Sequence, residues 1–212
     1  MSPATAGRAR THRAHRAFVA ALILACALGT WVLVGARREA QDPLPVLGRV
    51  ADFALVDQTS APVSRAAFAG DPWIANFVFT RCPLVCPRIT ERIRAVQTLA
   101  RRSGGPLRLV TFSVDPEHDE PAVLKSYADA HGADHERWTF LTGSASSIEE
   151  VARSFSVALE GEADPSRSDF GIMHSGHLVL VDGRGRIRRY YPSGEEGVEN
   201  RILVDLTRLD AS

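Results

Sequence analysis

Apolar runs alternate along this chain with segments in which apolar residues recur at helical spacing. Trp73–Phe79 is an almost continuous apolar run, and together with Leu107–Val114 it predicts strands that are buried on both faces of a sheet. Shorter strands are predicted at Phe53–Val56, Trp138–Leu141, His177–Val181 and Ile187–Tyr191, the last two forming a hairpin around the turn Asp182–Gly185.

Helical spacing of apolar residues predicts helices between and after these strands. They are expected at Ile89–Ala100, from Pro121 to about His131, at Ser147–Phe155 with a serine cap, and at Val198–Leu209. Strands that alternate with helices and end in a hairpin and a helix predict an α/β fold with a central mixed sheet flanked by helices. We expect this arrangement to be thioredoxin-like.

The N-terminal part of the chain has the pattern of a membrane segment. Residues 17–36 contain no charged side chain, and a helix of that length spans the roughly 30 Å hydrocarbon core of a bilayer. Arginines crowd the residues before it, which predicts a cytoplasmic N-terminus and a chain that continues on the far side. The sequence therefore divides into a basic cytoplasmic tail (1–16), a transmembrane anchor or signal segment (17–36), a linker (37–49) and a thioredoxin-like domain (50–212).

Three interpretations of residues 17–36 stay open. We favour an uncleaved anchor that spans the membrane once. The small residues at 34–36 also suit cleavage of a signal peptide. A lipid on Cys26 is the third interpretation, although the residues before it form a poor attachment signal. All three predict a domain outside the cytoplasm, which for a bacterial inner membrane is the periplasmic face.

The composition excludes some classes of protein. Hydrophobic residues make up 45% of the 212 residues and charged residues 24%, which is enough apolar material for a folded core. The formal net charge is zero, so nothing indicates nucleic acid as a partner. Of the three cysteines, Cys26 lies in the apolar segment, which leaves Cys82 and Cys86 as the pair in the folded part.

Cys82 and Cys86 lie in the segment CPLVCP, just after the predicted strand that ends at Phe79. Each cysteine precedes a proline, which disfavours helical backbone there and predicts a bent loop, with Cys86 as the helix cap and Pro87 as the first helical residue. A helix N-terminus beside two thiols stabilises thiolate. A disulfide that closes so small a ring stabilises little. The pair therefore indicates metal binding or redox exchange rather than a structural brace.

Two histidines are candidate partners of the thiols. Residues 156–173 are polar and contain glycine and proline, which predicts an exposed loop that leads straight to His174, and His177 follows. Two thiolates and one imidazole suit copper as Cu⁺ or Cu²⁺, whereas zinc usually takes a fourth ligand. Positions three apart on an extended chain point to opposite faces, so only one histidine is expected to reach the sulfurs, and His174 is favoured. A dithiol oxidoreductase usually has a cis-proline opposite its cysteines, but residues 173–181 contain no proline.

Four segments occur in order along the chain: FVFTRCPLVCPRIT, LVTFSVDPEHDEPAVLKSYA, WTFLTGSASSIEEVARSF and MHSGHLVLVDGRGRI. Together they resemble the Sco/SenC family of thioredoxin-fold copper proteins over about Val50–Leu209. The resemblance implies copper ligands at Cys82, Cys86 and His174. It also implies that Asp115 lies near the site or forms a turn.

The chain departs from the family's usual residues at some positions. Leu84 and Met173 stand where the family often has an acidic residue, and Arg81 replaces a residue that is commonly histidine or lysine-like. These departures concern the surroundings of the site and the docking partner more than the ligands.

The resemblance implies a copper metallochaperone that delivers copper to the dinuclear copper site of cytochrome c oxidase. Its partners would be the copper-acceptor subunit of that oxidase and a copper donor protein or thiol reductase. The alternative is a thiol–disulfide reductase that keeps the acceptor's cysteines reduced through a redox-active disulfide between Cys82 and Cys86. A peroxidase is less favoured because no threonine lies three residues before Cys82. We expect a binding protein rather than an enzyme.

Overall fold

The computed structural model describes residues 43–83, 85–156 and 176–209, together with residues 26, 29 and 30. The chain divides into two units, Met1–Asp42 and Pro43–Ser212. In the first unit, the described residues are helical and the Thr30 hydroxyl donates to the carbonyl of Cys26 at 2.9 Å. No helix within the described residues is long and apolar enough to cross a membrane. Most of the predicted membrane segment lies outside the described residues.

The second unit is built on a mixed sheet. Its strand order is β1-β8-β7-β4-β5-β6-β2-β3, with β4, β5 and β6 parallel to one another and the remaining pairs antiparallel. The strands are β1 (Gly48–Arg49), β2 (Ala54–Asp57), β3 (Pro62–Ser64), β4 (Trp73–Val78), β5 (Arg108–Ser113), β6 (Trp138–Thr142), β7 (His177–Val181) and β8 (Arg186–Pro192).

Helices cover both faces of this sheet. The helices of the second unit are α1 (Val85–Ser103), α2 (Pro121–Ala130), α3 (Ala145–Ser156) and α4 (Val198–Leu209), and a short 3-10 helix spans Arg65–Phe68. Every residue of β4 is buried, as its continuous apolar sequence predicts. Ile74 and Val78 pack with α1, α2 and α4, whereas Trp73, Ala75 and Phe77 pack with α3 on the opposite face. The predicted mixed sheet with flanking helices is confirmed, and it is the arrangement expected of a thioredoxin-like fold.

Helix starts are where the structure differs most from the sequence prediction. Helix α1 begins at Val85, so Cys86 lies inside its first turn and is not the cap, and Pro87 is the third helical residue. Proline is tolerated there because the first N–H groups of a helix have no partner within it. Helix α3 does have a serine cap, but it is Ser144, whose hydroxyl accepts the N–H of Ser147 at 3.1 Å.

The edge strand β3 and the 3-10 helix after it were not predicted. Together they cover only Pro62–Phe68, and strand β3 is three residues long. So short a segment shows no usable hydrophobic period. Phe68 nevertheless contributes to the core, where its side chain is 2% exposed.

The chain before β1 packs against β8. Leu44 is buried, and the buried guanidinium of Arg188 donates to the carbonyls of Leu44 and Pro45. The same guanidinium donates to Asp182 Oδ2 at 2.8 Å. A buried guanidinium needs acceptors for its N–H groups, and these two backbone carbonyls supply them. Residues from Leu44 onward, which the sequence assigned to a linker, are therefore in contact with the folded domain.

Candidate functional site

The two cysteines lie where the central strand β4 gives way to helix α1. Cys82 is half-buried in the loop, and Cys86 is 4% exposed in the first turn of the helix. Both are present as thiols. The backbone N–H of Cys86 points at Cys82 Sγ at 3.4 Å, so the Cys82 sulfur accepts one of the N–H groups that a helix start leaves unpartnered. The sequence prediction of a bent loop at the first cysteine agrees with this geometry.

The end of β4 contacts both cysteines through its backbone. The N–H of Cys82 donates to the carbonyl of Phe79 at 3.2 Å. A backbone hydrogen bond from Phe79 also lowers the pKa of the Cys86 thiol. The end of β4 therefore acts on both cysteines.

The buried Cys86 thiol is an unusually weak acid. Burial raises the pKa of the Cys86 thiol from 9.0 to about 12, and the backbone hydrogen bond from Phe79 opposes the rise only in part. The hydrogen bond and charge of Cys82 and the charge of Asp119 raise it further. At neutral pH the buried sulfur therefore keeps its proton until a metal ion or a disulfide bond replaces that proton.

A tyrosine from helix α2 lies on the buried side of the pair. The Tyr127 hydroxyl is 2.7 Å from the hydroxyl of Thr90, which donates to the carbonyl of Cys86 at 2.9 Å. Burial raises the pKa of Tyr127 to about 12, the Thr90 hydrogen bond lowers it, and the charges of Cys86, Cys82 and Asp119 raise it. Tyr127 is consequently a neutral neighbour of the thiols at physiological pH.

The segment after β5 supports the cysteine loop from the side. The Arg81 guanidinium donates to Asp115 Oδ2, with Nε at 3.0 Å, and the Asp115 carbonyl accepts the N–H groups of His118 and Asp119. Asp115 thus both forms a turn and contacts the residue before Cys82, so each of the two roles considered for it is present.

Asp119 was not predicted from the sequence. Its carboxylate is fully buried and accepts hydrogen bonds from the Thr80 N–H at 3.0 Å, the Thr80 hydroxyl at 2.5 Å and the Ser113 hydroxyl at 2.6 Å. The available signal was a second carboxylate four residues after Asp115, in a polar segment at the end of a buried strand.

The structure describes only one of the two candidate histidines. His174 lies outside the described residues. His177 is the first residue of β7, and its ring lies against that of Tyr190, with the centroids 6.4 Å apart. The next residue, Leu178, packs in the same cluster as Cys86. Because side chains alternate along a strand, His177 points to the face of the sheet that is opposite the cysteine helix.

A mixed α/β sheet with two thiols at the junction of its central strand and a helix defines a dithiol protein of the thioredoxin-like class. The particular family follows from the sequence: residues 45–209 match SCO1/SenC. The chain belongs to this family, as the resemblance predicted.

Two relatives have similar sequences, one named for the family and one named for copper binding. The SCO1 protein homolog of Bacillus subtilis is 33% identical over 171 residues, which cover 80% of this chain and 83% of the relative. A protein of Stutzerimonas stutzeri named "Putative copper-binding protein" is 30% identical over 146 residues, covering 68% of this chain and 70% of the relative.

Solved structures agree with the fold. The SCO1/SenC family lipoprotein of Bacillus anthracis superposes with a TM-score of 0.67 at 26% identity, covering 78% of this chain and 97% of that protein. BsSco, described as a member of the Sco family of cytochrome c oxidase assembly proteins with a disulfide switch, gives a TM-score of 0.66 at 28% identity, covering 80% and 98%.

Proposed function

We propose that this protein is a copper carrier that holds one copper ion between Cys82, Cys86 and His174. Two sulfur donors from one loop and the first turn of the helix that follows it match the soft ligands that Cu⁺ prefers, and an imidazole extends the donor set to Cu²⁺. The hydrogen bond from the Cys86 N–H to Cys82 Sγ, which holds the two cysteines together, is the observation that carries this proposal. The family's copper-binding relative supports it.

The described end of the segment that contains His174 supports the third ligand. Gly176 has a φ of +62°, and a Cβ built on it would lie 3.9 Å from Cδ1 of Ile89. Ile89 follows Cys86 by three residues on helix α1, so the two side chains are neighbours on one helix face. His174 comes two residues before Gly176, so we expect its imidazole to come within reach of the thiols.

Copper would be passed on by ligand exchange. Incoming thiolates of the acceptor replace the protein's sulfurs one at a time, beginning at the more exposed Cys82. We propose the copper-acceptor subunit of cytochrome c oxidase as the recipient, since BsSco belongs to a family of assembly proteins for that enzyme. A copper donor protein or thiol reductase would act before this step.

The predicted membrane segment completes the proposal. Residues 17–36 would anchor the protein, with residues 1–16 in the cytoplasm and the domain on the periplasmic face. A lipoprotein among the similar structures is consistent with membrane attachment. Fractionation of cells that express the chain with and without residues 1–36 tests this, because only the full chain is expected in the membrane fraction.

The ligand assignment is tested by His174→Ala, with His177→Ala as the matched control. After copper loading and passage through a competing chelator, His174→Ala is expected to retain well below one copper per chain. Its cysteine pair should still react with a thiol reagent as in the wild type. His177→Ala should keep its copper. Unchanged copper in His174→Ala, or loss of copper in His177→Ala alone, would show that the assignment is wrong.

A thiol–disulfide reductase remains the second candidate because the two sulfurs are adjacent and BsSco has a disulfide switch. The Cys82 thiolate would attack a partner disulfide and release one partner thiolate. Cys86 would then attack the mixed disulfide, release the second thiolate and leave the Cys82–Cys86 disulfide. Under this alternative, His174→Ala reduces a disulfide substrate at the wild-type rate, whereas Cys86→Ser accumulates the mixed disulfide.

A further inference from the structure

One peptide group links the cysteine loop to a buried carboxylate. The carbonyl of Phe79 and the N–H of Thr80 belong to the same planar peptide unit. The carbonyl accepts the N–H of Cys82 at 3.2 Å, and the N–H donates to Asp119 Oδ2 at 3.0 Å. The orientation of this plane therefore sets where the Cys82 backbone lies.

The same plane also affects Cys86. The N–H of Cys86 donates to Cys82 Sγ at 3.4 Å, so the place of the Cys82 backbone also affects the contact between the two cysteines. A rotation of the Phe79–Thr80 peptide would turn its carbonyl away from the Cys82 N–H, shift the Cys82 backbone and so weaken the contact between Cys82 and Cys86. Within the described residues Asp119 has no hydrogen bond to either cysteine, yet its acceptor atoms hold the peptide that contacts Cys82 directly and Cys86 through Cys82.

A carboxylate suits this position because three donors converge on it. The Thr80 N–H, the Thr80 hydroxyl and the Ser113 hydroxyl all point at Asp119 in a site with no access to water. A carboxylate offers two oxygens with several lone pairs and no donor of its own. Hydrogen bonds to a charged acceptor are stronger than those between neutral groups. Through Asp119 these hydrogen bonds also join Thr80, which follows β4, to Ser113, the last residue of β5.

We propose that Asp119 is a positioning residue for the Cys82–Cys86 pair, holding the Phe79–Thr80 peptide in the orientation that brings both sulfurs to one point. The copper part of this inference rests on the proposed copper-carrier function. The part that concerns the dithiol stands without it, because sulfur–sulfur geometry also sets how readily the pair forms a disulfide.

The alternative role for Asp119 is a strut between two strands that has no effect on the thiols. Asp205 serves as the matched control. It is also buried, and it accepts hydrogen bonds from Tyr191 at 2.8 Å, Arg189 at 2.9 Å and Arg208 at 2.9 Å. None of these partners belongs to the cysteine loop. Both Asp119→Asn and Asp205→Asn should lower the thermal midpoint of unfolding, so stability alone does not separate the two roles.

The experiment compares Asp119→Ala, Asp119→Asn and Asp205→Asn in the full chain. Copper affinity is measured by competition with a chelator, and the dithiol–disulfide equilibrium is measured by titration with reduced and oxidised glutathione. Loss of a group that orients metal ligands typically costs about 10- to 100-fold in affinity. We expect a loss of that size in Asp119→Ala, together with a shifted glutathione midpoint. Asp119→Asn keeps one acceptor oxygen for the Thr80 N–H and is expected to recover most of both quantities.

The control should keep wild-type copper affinity and a wild-type glutathione midpoint. The inference is wrong if Asp119→Ala folds and matches Asp205→Asn in both measurements. If Asp119→Ala does not fold, Asp119→Asn and Thr80→Val carry the test, because Thr80→Val removes only the hydroxyl tie and should give an intermediate shift. A wild-type chain that takes up no copper would overturn the proposed function, while the glutathione midpoints would still decide the role of Asp119.

Discussion

The two thiols of the CPLVCP segment have different surroundings although only three residues separate them. Cys82 is half-buried, and its sulfur accepts an N–H at the start of a helix. Cys86 is 4% exposed and its pKa is raised to about 12, chiefly by burial. Because the thiolate is the reactive form, these surroundings assign the first contact with any partner to Cys82.

This asymmetry predicts unequal alkylation. On a Cys26→Ser background at pH 8, iodoacetamide should modify Cys82 first. In Cys82→Ser, the remaining Cys86 should react at least about tenfold more slowly than Cys82 does in Cys86→Ser, because burial suppresses its thiolate. Mass spectrometry of a time course measures both rates. Equal alkylation rates of the two cysteines would contradict the burial and the raised pKa of Cys86. Urea-unfolded samples, in which both thiols are exposed, are the control.

The β7–β8 turn depends on a single carboxylate. Asp182 accepts the backbone N–H groups of Arg184 and Arg186 and the guanidinium groups of Arg186 and Arg188. Burial alone would raise the pKa of Asp182, but the hydrogen bonds outweigh it and hold the pKa below 3.8. A carboxyl whose pKa is lower in the folded state stabilises the fold above its unfolded pKa, and this contribution is lost as the pH falls through the folded pKa.

Asp182→Asn should therefore destabilise the protein in a pH-dependent way. At pH 7 we expect a loss of about 3 kcal/mol or more in the free energy of unfolding, since the variant leaves the buried Arg188 without its counter-ion. The difference from wild type should shrink as the pH is lowered toward 3. Urea unfolding across this range measures it. A difference that does not change with pH would mean that shape, and not charge, accounts for the effect.

The sequence predicted elements with a strong period and missed those that depend on distant contacts. Helix α4 was predicted with its observed bounds, and the hairpin of β7 and β8 was found because its strands flank a turn of glycine and aspartate. Strand β3 has only three residues, and its pairing with β2 is the reason it is extended. The start of α1 was predicted two residues late. A residue before proline disfavours helical backbone, but Cys86 is helical here although Pro87 follows it.

The site was predictable only in its chemistry. Two cysteines close together in the sequence are recognised directly as a candidate site. The contribution of Asp119 is not visible in the sequence, because it depends on the fold bringing the end of β5 beside the end of β4. Parallel pairing of these strands sets Val78 opposite Ser113, and nothing local in the sequence gives that register. His174 was favoured by its place between a loop and a strand and by the family resemblance, and it stays a prediction.

The folded domain starts before the predicted boundary at residue 50. A chain that begins at Pro43 should unfold with the same free energy as the second unit of the full chain, within about 0.5 kcal/mol. A chain that begins at Val50 loses the buried Leu44 and two carbonyl acceptors of Arg188. It should be less stable by about 4 kcal/mol or more, from a lost core side chain and unsatisfied buried donors. Equal stability of the two truncated chains, measured by urea unfolding, would restore the boundary at residue 50.

The strand order has a consequence for how the chain is made. Strand β4 pairs with β5 on one side, but its other neighbour, β7, lies about a hundred residues later in the sequence. Leu178 and Leu180 of β7 pack in the cluster that contains Cys86. Until the ribosome has synthesised β7, the packing around the Cys86 sulfur is incomplete. The nascent chain therefore presents two open thiols to oxidants and metal ions until β7 has been made and packs over Cys86.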